Sequence, residues 1–178
     1  MHTPLDLIPA WRAESGAAAP RRIVMADDTM SADMAYRLAC EGTGLLWQGD
    51  FHNARQLLQA LTRRTERKPK KNKKPEVYLS PLQAFNAHRQ AMGQRARILA
   101  MVIIPLEGDY TIPLRRAPDL KQACTQAWGA ANGTPCIVSL RELLGLVGAH
   151  EWRKKGVEIM ALGEAPNNRI YPHYGVFS

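Results

Sequence analysis

Between residues 98 and 104 the chain reads ILAMVII, seven consecutive apolar residues halted by Pro105. An extended segment of that composition has no face suited to water, so it predicts a strand covered on both sides. The residues that follow supply the covering layers. Asp119 opens a predicted helix with Leu120, Ala123, Cys124, Ala127 and Trp128 on one face, closed by Asn132-Gly133. Residues 136–138, CIV, predict a short strand. Ser139-Leu-Arg-Glu142 has the spacing of a capping box, in which Ser139 and Glu142 satisfy each other's free amides. The helix behind it buries Leu140, Leu143, Leu144 and Val147 and stops at Lys154-Lys155-Gly156, and VEIMAL (157–162) predicts a further strand. Strand, helix, strand, helix, strand describes a small α/β layer over residues 77–166.

Upstream, the periodicity is helical. Residues 1–28 mix Pro, Ala and Gly without a period and predict a partly ordered arm. Residues 29–66 predict a helical hairpin. Ser31 caps its first helix, Met30, Met34 and Leu38 share a face, and Gly42 stands where a left-handed closing residue belongs. Asp50 caps the second, whose Phe51, Ala54, Leu57, Leu58 and Leu61 form one apolar stripe. Ser80-Pro-Leu-Gln83 is another capping box, opening a helix to about Arg95. The expected class is α+β (or α/β), helical first and layered after.

Net charge is +8 and sits in one place. Residues 63–74, RRTERKPKKNKK, hold eight basic side chains and one acidic, so this stretch supplies +7 and the rest of the chain about +1. Like-charge repulsion and two prolines predict a basic flexible linker at 67–76. Its cations, Arg63, Arg64, Arg67, Lys68, Lys70, Lys71, Lys73 and Lys74, are the candidate contacts to nucleic acid or another anionic substrate. The same run also reads as a solvated tether. No aromatic residues are interleaved with it, so the linker itself does not indicate base stacking.

Three cysteines, odd in number and far apart, suggest neither a disulfide framework nor a zinc ribbon and point to a reducing, cytoplasmic compartment. The longest apolar run is too short to span a bilayer, and the N-terminus lacks the pattern of a secretory signal, so no membrane partner is expected. Cys40, His52, His88, Cys124, Cys136 and His150 lack metal-ligand spacing. Ser139 lacks the flanking glycines of a nucleophile elbow. Trp47 reads as a packing residue. His52, on the first turn of a helix, reads either as solvated or as a substrate contact.

Gly42-Thr-Gly44 poses the sharper question. A nucleotide-binding glycine turn follows a buried strand and delivers the ligand to a helix N-terminus. Here a helical pattern precedes the glycines, and no helix begins until Asp50. The pair therefore reads as a helix stop leading to the next helix, with no cofactor-binding or catalytic residue expected in the chain.

Two segments are distinctive: GDFHNARQLLQAL (49–61) and NNRIYPHYGVFS (167–178). Together they resemble the N-terminal region of a family of bacterial class I S-adenosylmethionine-dependent methyltransferases, in which an accessory domain precedes the catalytic Rossmann-like domain. The resemblance implies that 167–178 is a lead-in to that domain and that S-adenosylmethionine is the cofactor there. In such an enzyme the basic linker Lys68 to Lys74 would attract an anionic substrate, RNA or a ribosome-associated protein. The glycine-rich cofactor loop and the N-P-P-[YFW]-like segment of such enzymes have no counterpart here, so no catalytic residue carries over. The large side chains of the lead-in, Tyr171, Tyr174, Val176 and Phe177, are the expected interface with a catalytic domain.

Overall fold

The apolar run that predicts a doubly covered strand divides in the computed structural model, which describes residues 9–66 and 80–172: Ile98 and Leu99 end a helix, and the strand is Val102–Leu106. The full order is β1 (Ala10–Arg12), β2 (Arg22–Ala26), α1 (Ala32–Cys40), β3 (Thr43–Trp47), α2 (Phe51–Thr65), α3 (Pro81–Leu99), β4 (Val102–Leu106), α4 (Lys121–Trp128), β5 (Cys136–Ser139), α5 (Leu140–Lys155), β6 (Val157–Glu158) and β7 (Arg169–Ile170). The class is mixed α+β, as the pattern predicts.

One five-stranded sheet, ordered β1-β5-β4-β3-β2, organises these elements. Strands β2, β3 and β4 are parallel, β5 runs against β4, and β1 is parallel to β5. Its two faces are unequal. Leu45, Trp47, Val102, Ile104, Leu106 and Val138 point to one side, where they meet Ala35 of α1, the Phe51–Leu61 stripe of α2, and Leu140, Leu143 and Leu146 of α5. The opposite side carries the smaller cluster of Ile23, Leu46, Ile103 and Ile137, with Trp11 against it. Residues 13–21 strap this second face. Trp11 Nε1 donates to the Ala17 carbonyl at 2.9 Å, and the Glu142 carboxylate accepts from Glu14 N at 2.7 Å and Ser15 Oγ at 3.0 Å.

Several local expectations are corrected. The arm at 1–28 contains β1 and β2, both paired in the sheet. The helical hairpin at 29–66 is interrupted by β3, because residues 43–47 (TGLLW) are buried on both faces between β2 and β4 and so show no amphipathic period. Asp119 accepts from Lys121 N at 3.0 Å without being the N-cap, which is Leu120. Helix α4 ends at Gly129 (φ 90°), ahead of Asn132-Gly133. The Ser139–Glu142 box does not form: Ser139 Oγ makes no cap bond, and the Glu142 carboxylate is turned to the strap. VEIMAL becomes the two-residue β6 followed by a 3-10 turn at Met160–Leu162, and β6 pairs with β7 apart from the main sheet. Elsewhere the local chemistry holds. Ser31 Oγ accepts from Met34 N at 3.2 Å, Ser80 Oγ from Gln83 N at 3.3 Å, and Asp50 Oδ1 from His52 N at 2.8 Å.

Candidate nucleic-acid interface

The chain's positive charge reaches the described structure at both ends of the lysine run. On one side is the last turn of α2, where the helix dipole is negative and cations are favoured. Arg63 is exposed there. Arg64 turns back to the protein: its Nη2 donates to Asp33 Oδ1 at 2.7 Å and its Nη1 to the Ala60 carbonyl at 3.2 Å. Of the candidate contacts, then, Arg63 faces solvent and Arg64 ties α2 to α1. Arg67, Lys68, Lys70, Lys71, Lys73 and Lys74 lie outside the described residues.

On the other side is α3, which sequence reasoning treated only as a capped helix. Its last turn is anchored, with Ile98 and Leu99 buried and Arg95 paired with Glu66. Its first three turns contain no buried residue. Leu82 is 66% exposed, Phe85 57% and Met92 43%. The helix carries Arg89, Arg95 and Arg97 and no acidic residue. Between residues 63 and 99 the sequence holds eleven basic and two acidic side chains, +9 in a chain whose total is +8, so everything else sums to −1. The signal that extends the basic segment beyond Lys74 was present in the sequence as the absence of Asp and Glu from α3.

The glycine question is answered by the sheet. Gly42 (φ 78°) closes α1 in the left-handed region, as expected of a helix stop. Gly44 lies inside β3, and a Cβ on it would stand 2.5 Å from Ile103 Cδ1 and 2.8 Å from Pro20 Cγ, so the residue is small because the strap presses on the sheet. Neither glycine follows a strand. The strand-to-helix junction that sequence reasoning missed lies further on, at Gln48-Gly49-Asp50, between β3 and α2.

That junction is occupied by the protein's own charges. Asp28, after β2, accepts from Asp50 N at 2.9 Å and pairs with Arg115 at 3.1 Å. Gly49 is required because a Cβ there would run into Asp28, 2.7 Å from its Cγ. The Asp50 side chain is only 3% exposed, and Arg116 Nε donates to its Oδ2 at 2.5 Å. Arg116 adopts φ 54°, a conformation costing a non-glycine residue roughly 1–2 kcal/mol, and makes its ion pair from that conformation. The Arg116 guanidinium holds the Asp50 carboxyl below the usual carboxylate range. The hydrogen bond from Asp50 N does the same for Asp28. Both are therefore ionised at neutral pH and act as structural anions rather than proton donors. Beside them an open cleft of about 380 Å³ is lined by Met25, Asp27, Thr29, Met30, Ser31 and Met34.

The remaining candidates disperse. Trp47 is buried, its Nε1 donating to the Asp50 carbonyl at 2.9 Å. His52 is exposed, 3.0 Å from the Gln56 amide. Cys124 and Cys136 are buried and Cys40 is exposed. Among the described residues no group of three or more His, Cys, Asp or Glu is placed to hold a metal ion, and no helix is long and apolar enough to cross a membrane. Tyr171 is 61% exposed, its ring edge over Gly156 at the end of α5, while Tyr174, Val176 and Phe177 lie outside the described residues. Asn168 is buried and donates to Glu158 Oε1 at 3.0 Å, which ties β7 to β6. Compared with known proteins, the chain matches no family model and no curated sequence.

Proposed function

We propose that this chain is a nucleic-acid-recognition domain, with RNA as the substrate class, and that it serves a cytoplasmic methyltransferase whose catalytic domain and S-adenosylmethionine site are carried elsewhere. The observation behind this reading is the concentration of charge: residues 63–99 carry +9 while the remainder carries −1. A polycation of that density releases condensed counterions from a phosphate backbone, and that release drives sequence-independent binding. The described structure supports the division of labour, since the strand-to-helix turn at Gln48-Gly49-Asp50, at the opposite end of α2 from the basic segment, is filled by Asp28, Asp50 and Arg116. Two carboxylates at that position also repel a phosphate. The link to methyl transfer rests on the resemblance of residues 49–61 and 167–178, with Tyr171 and the residues after it as the surface offered to a catalytic domain. The same positive charge would serve equally in a free-standing nucleic-acid-binding module.

The test is the salt dependence of binding to a fluorescein-labelled 12-nucleotide RNA, read by anisotropy between 50 and 200 mM salt. Replacing Lys70, Lys71, Lys73 and Lys74 by Gln removes up to four phosphate contacts. The log–log salt slope should then flatten by roughly 3, at about 0.7 per contact to a single strand. Unchanged affinity and slope would show that the lysine run is a tether and would sink the reading.

A further inference from the structure

The exposed stripe of α3 has a composition that a solvated helix does not need. Leu82, Phe85, Arg89 and Met92 recur at three- and four-residue steps, so they stand on one side of the helix. Arg89 lies in the middle of this side with its guanidinium 5.9 Å from the centre of the Phe85 ring. Only the last turn reaches the core, so on a helix of 19 residues, about 28 Å long, the stripe stands clear of the sheet. Asn86 and Gln90 flank it with amide groups able to donate and accept.

We propose that this stripe is a stacking platform for the bases of a single-stranded nucleic acid, the Phe85 ring and the Arg89 plane each offering a flat surface. The proposal rests on the recognition function above and specifies its substrate as unpaired strand. Three features choose this occupant. The helix has positive charge and no acidic residue, which complements a polyanion. The apolar stripe is broken by an arginine, which suits alternating flat bases and phosphates better than the continuous apolar face that an interfacial membrane helix buries. An aromatic ring beside a guanidinium is the surface on which unpaired bases stack, with aromatic and cation–π contributions together. The aromatic residue missing from the lysine run is thus supplied eleven positions after Lys74, on α3.

The experiment compares the whole chain with its Phe85→Ala and Phe85→Trp variants against a uridine 12-mer, a self-complementary RNA duplex, and vesicles of phosphatidylserine and phosphatidylcholine. Phe85 is exposed, so circular dichroism and the unfolding midpoint should stay unchanged in both variants. Phe85→Ala is expected to weaken single-strand binding about 5- to 150-fold, the range for loss of one stacked base, with the salt slope preserved. Phe85→Trp should retain the affinity, and duplex binding should be unmoved. Equal single-strand affinity of Phe85→Ala and the unmodified chain overturns the platform. If the lysine variant still loses binding in that case, phosphate contact alone stands and the recognition reading survives. Vesicle binding that exceeds RNA binding and is lost on Phe85→Ala overturns the platform in favour of a membrane face. Failure of the unmodified chain to bind either RNA overturns both proposals.

Discussion

Gly44→Ala separates two reasons for a glycine at the end of the Gly-Thr-Gly stretch. If the residue is small because the sheet and its strap meet there, a single methyl group should disturb the fold, and the disturbance should be coupled to Ile103. The added Cβ would stand 2.5 Å from Ile103 Cδ1, where carbon atoms prefer roughly 3.5–4.0 Å, and 2.8 Å from the Pro20 ring. Overpacking of this kind costs about 1–3 kcal/mol. Replacing glycine by alanine also stiffens the unfolded chain, which returns about 0.4–1 kcal/mol where the backbone is compatible. The net loss expected is therefore about 0.5–2 kcal/mol. Ile103→Val removes the Cδ1 atom and alone costs about 0.5–1.5 kcal/mol. In the double variant the alanine methyl occupies space that Cδ1 has left, so the combined loss should fall short of the sum by roughly 1 kcal/mol, within the range seen for residues in contact. Gly42→Ala is the control. Its φ of 78° makes alanine unfavourable by about 1–2 kcal/mol, but nothing lies within 4 Å of the new Cβ, so its effect should add to that of Ile103→Val without coupling. Urea unfolding followed by tryptophan fluorescence gives all the energies, with Trp47, buried on the helix-covered side of β3, as a reporter. Strict additivity of Gly44→Ala and Ile103→Val would refute the packing account and reopen a ligand as the reason for the glycine.

Two further outcomes follow from the charged junction and the thiols. The folded Asp50 carboxyl is depressed by Arg116, so its contribution to stability is present above the ordinary carboxylate value near 4 and is lost as pH falls through the lower folded value. Arg116→Met raises the folded value and should move the acid-unfolding midpoint, followed by circular dichroism, to higher pH; an unmoved midpoint would show that the pair is not coupled to folding. Burial pushes the Cys124 thiol up to about 11 and raises Cys136 as well, whereas Cys40 is exposed. At pH 8 a disulfide reagent should titrate one thiol quickly and the other two only after urea is added, and equal rates for all three would contradict the burial of Cys124 and Cys136.

What the sequence made legible was governed by how local the cause was. Ser31, Asp50 and Ser80 cap their helices because a hydroxyl or carboxylate within two or three residues of a free amide needs little help from the rest of the chain. The Phe51–Leu61 stripe was equally plain, since one helix face meets one sheet face. Strand β3 was hidden for the opposite reason. Parallel neighbours on both edges and apolar cover on both sides erase any alternation, and a strand of five residues is too short to reveal itself by length. Long-range pairing also displaced local rules at Ser139, whose expected partner Glu142 is held by Glu14 and Ser15 from the far end of the chain. At the candidate site, the cations were visible as composition. The exposure of Phe85 was not, because the spacing of Leu82, Phe85 and Met92 is the same whether a helix packs against a core or stands away from one.

The placement of β1 sets an order of events during synthesis. Its partner strand comes 126 residues later, Ala10 aligning with Cys136, and the intervening strap is fastened by Glu142, later still. Strands β2, β3 and β4 and their helices can assemble as they leave the ribosome, but Ile23, Leu46 and Ile103 keep an uncovered side until the antiparallel strand arrives and the amino terminus swings across. A nascent chain stalled before residue 136 should therefore be the species that chaperones grip most firmly.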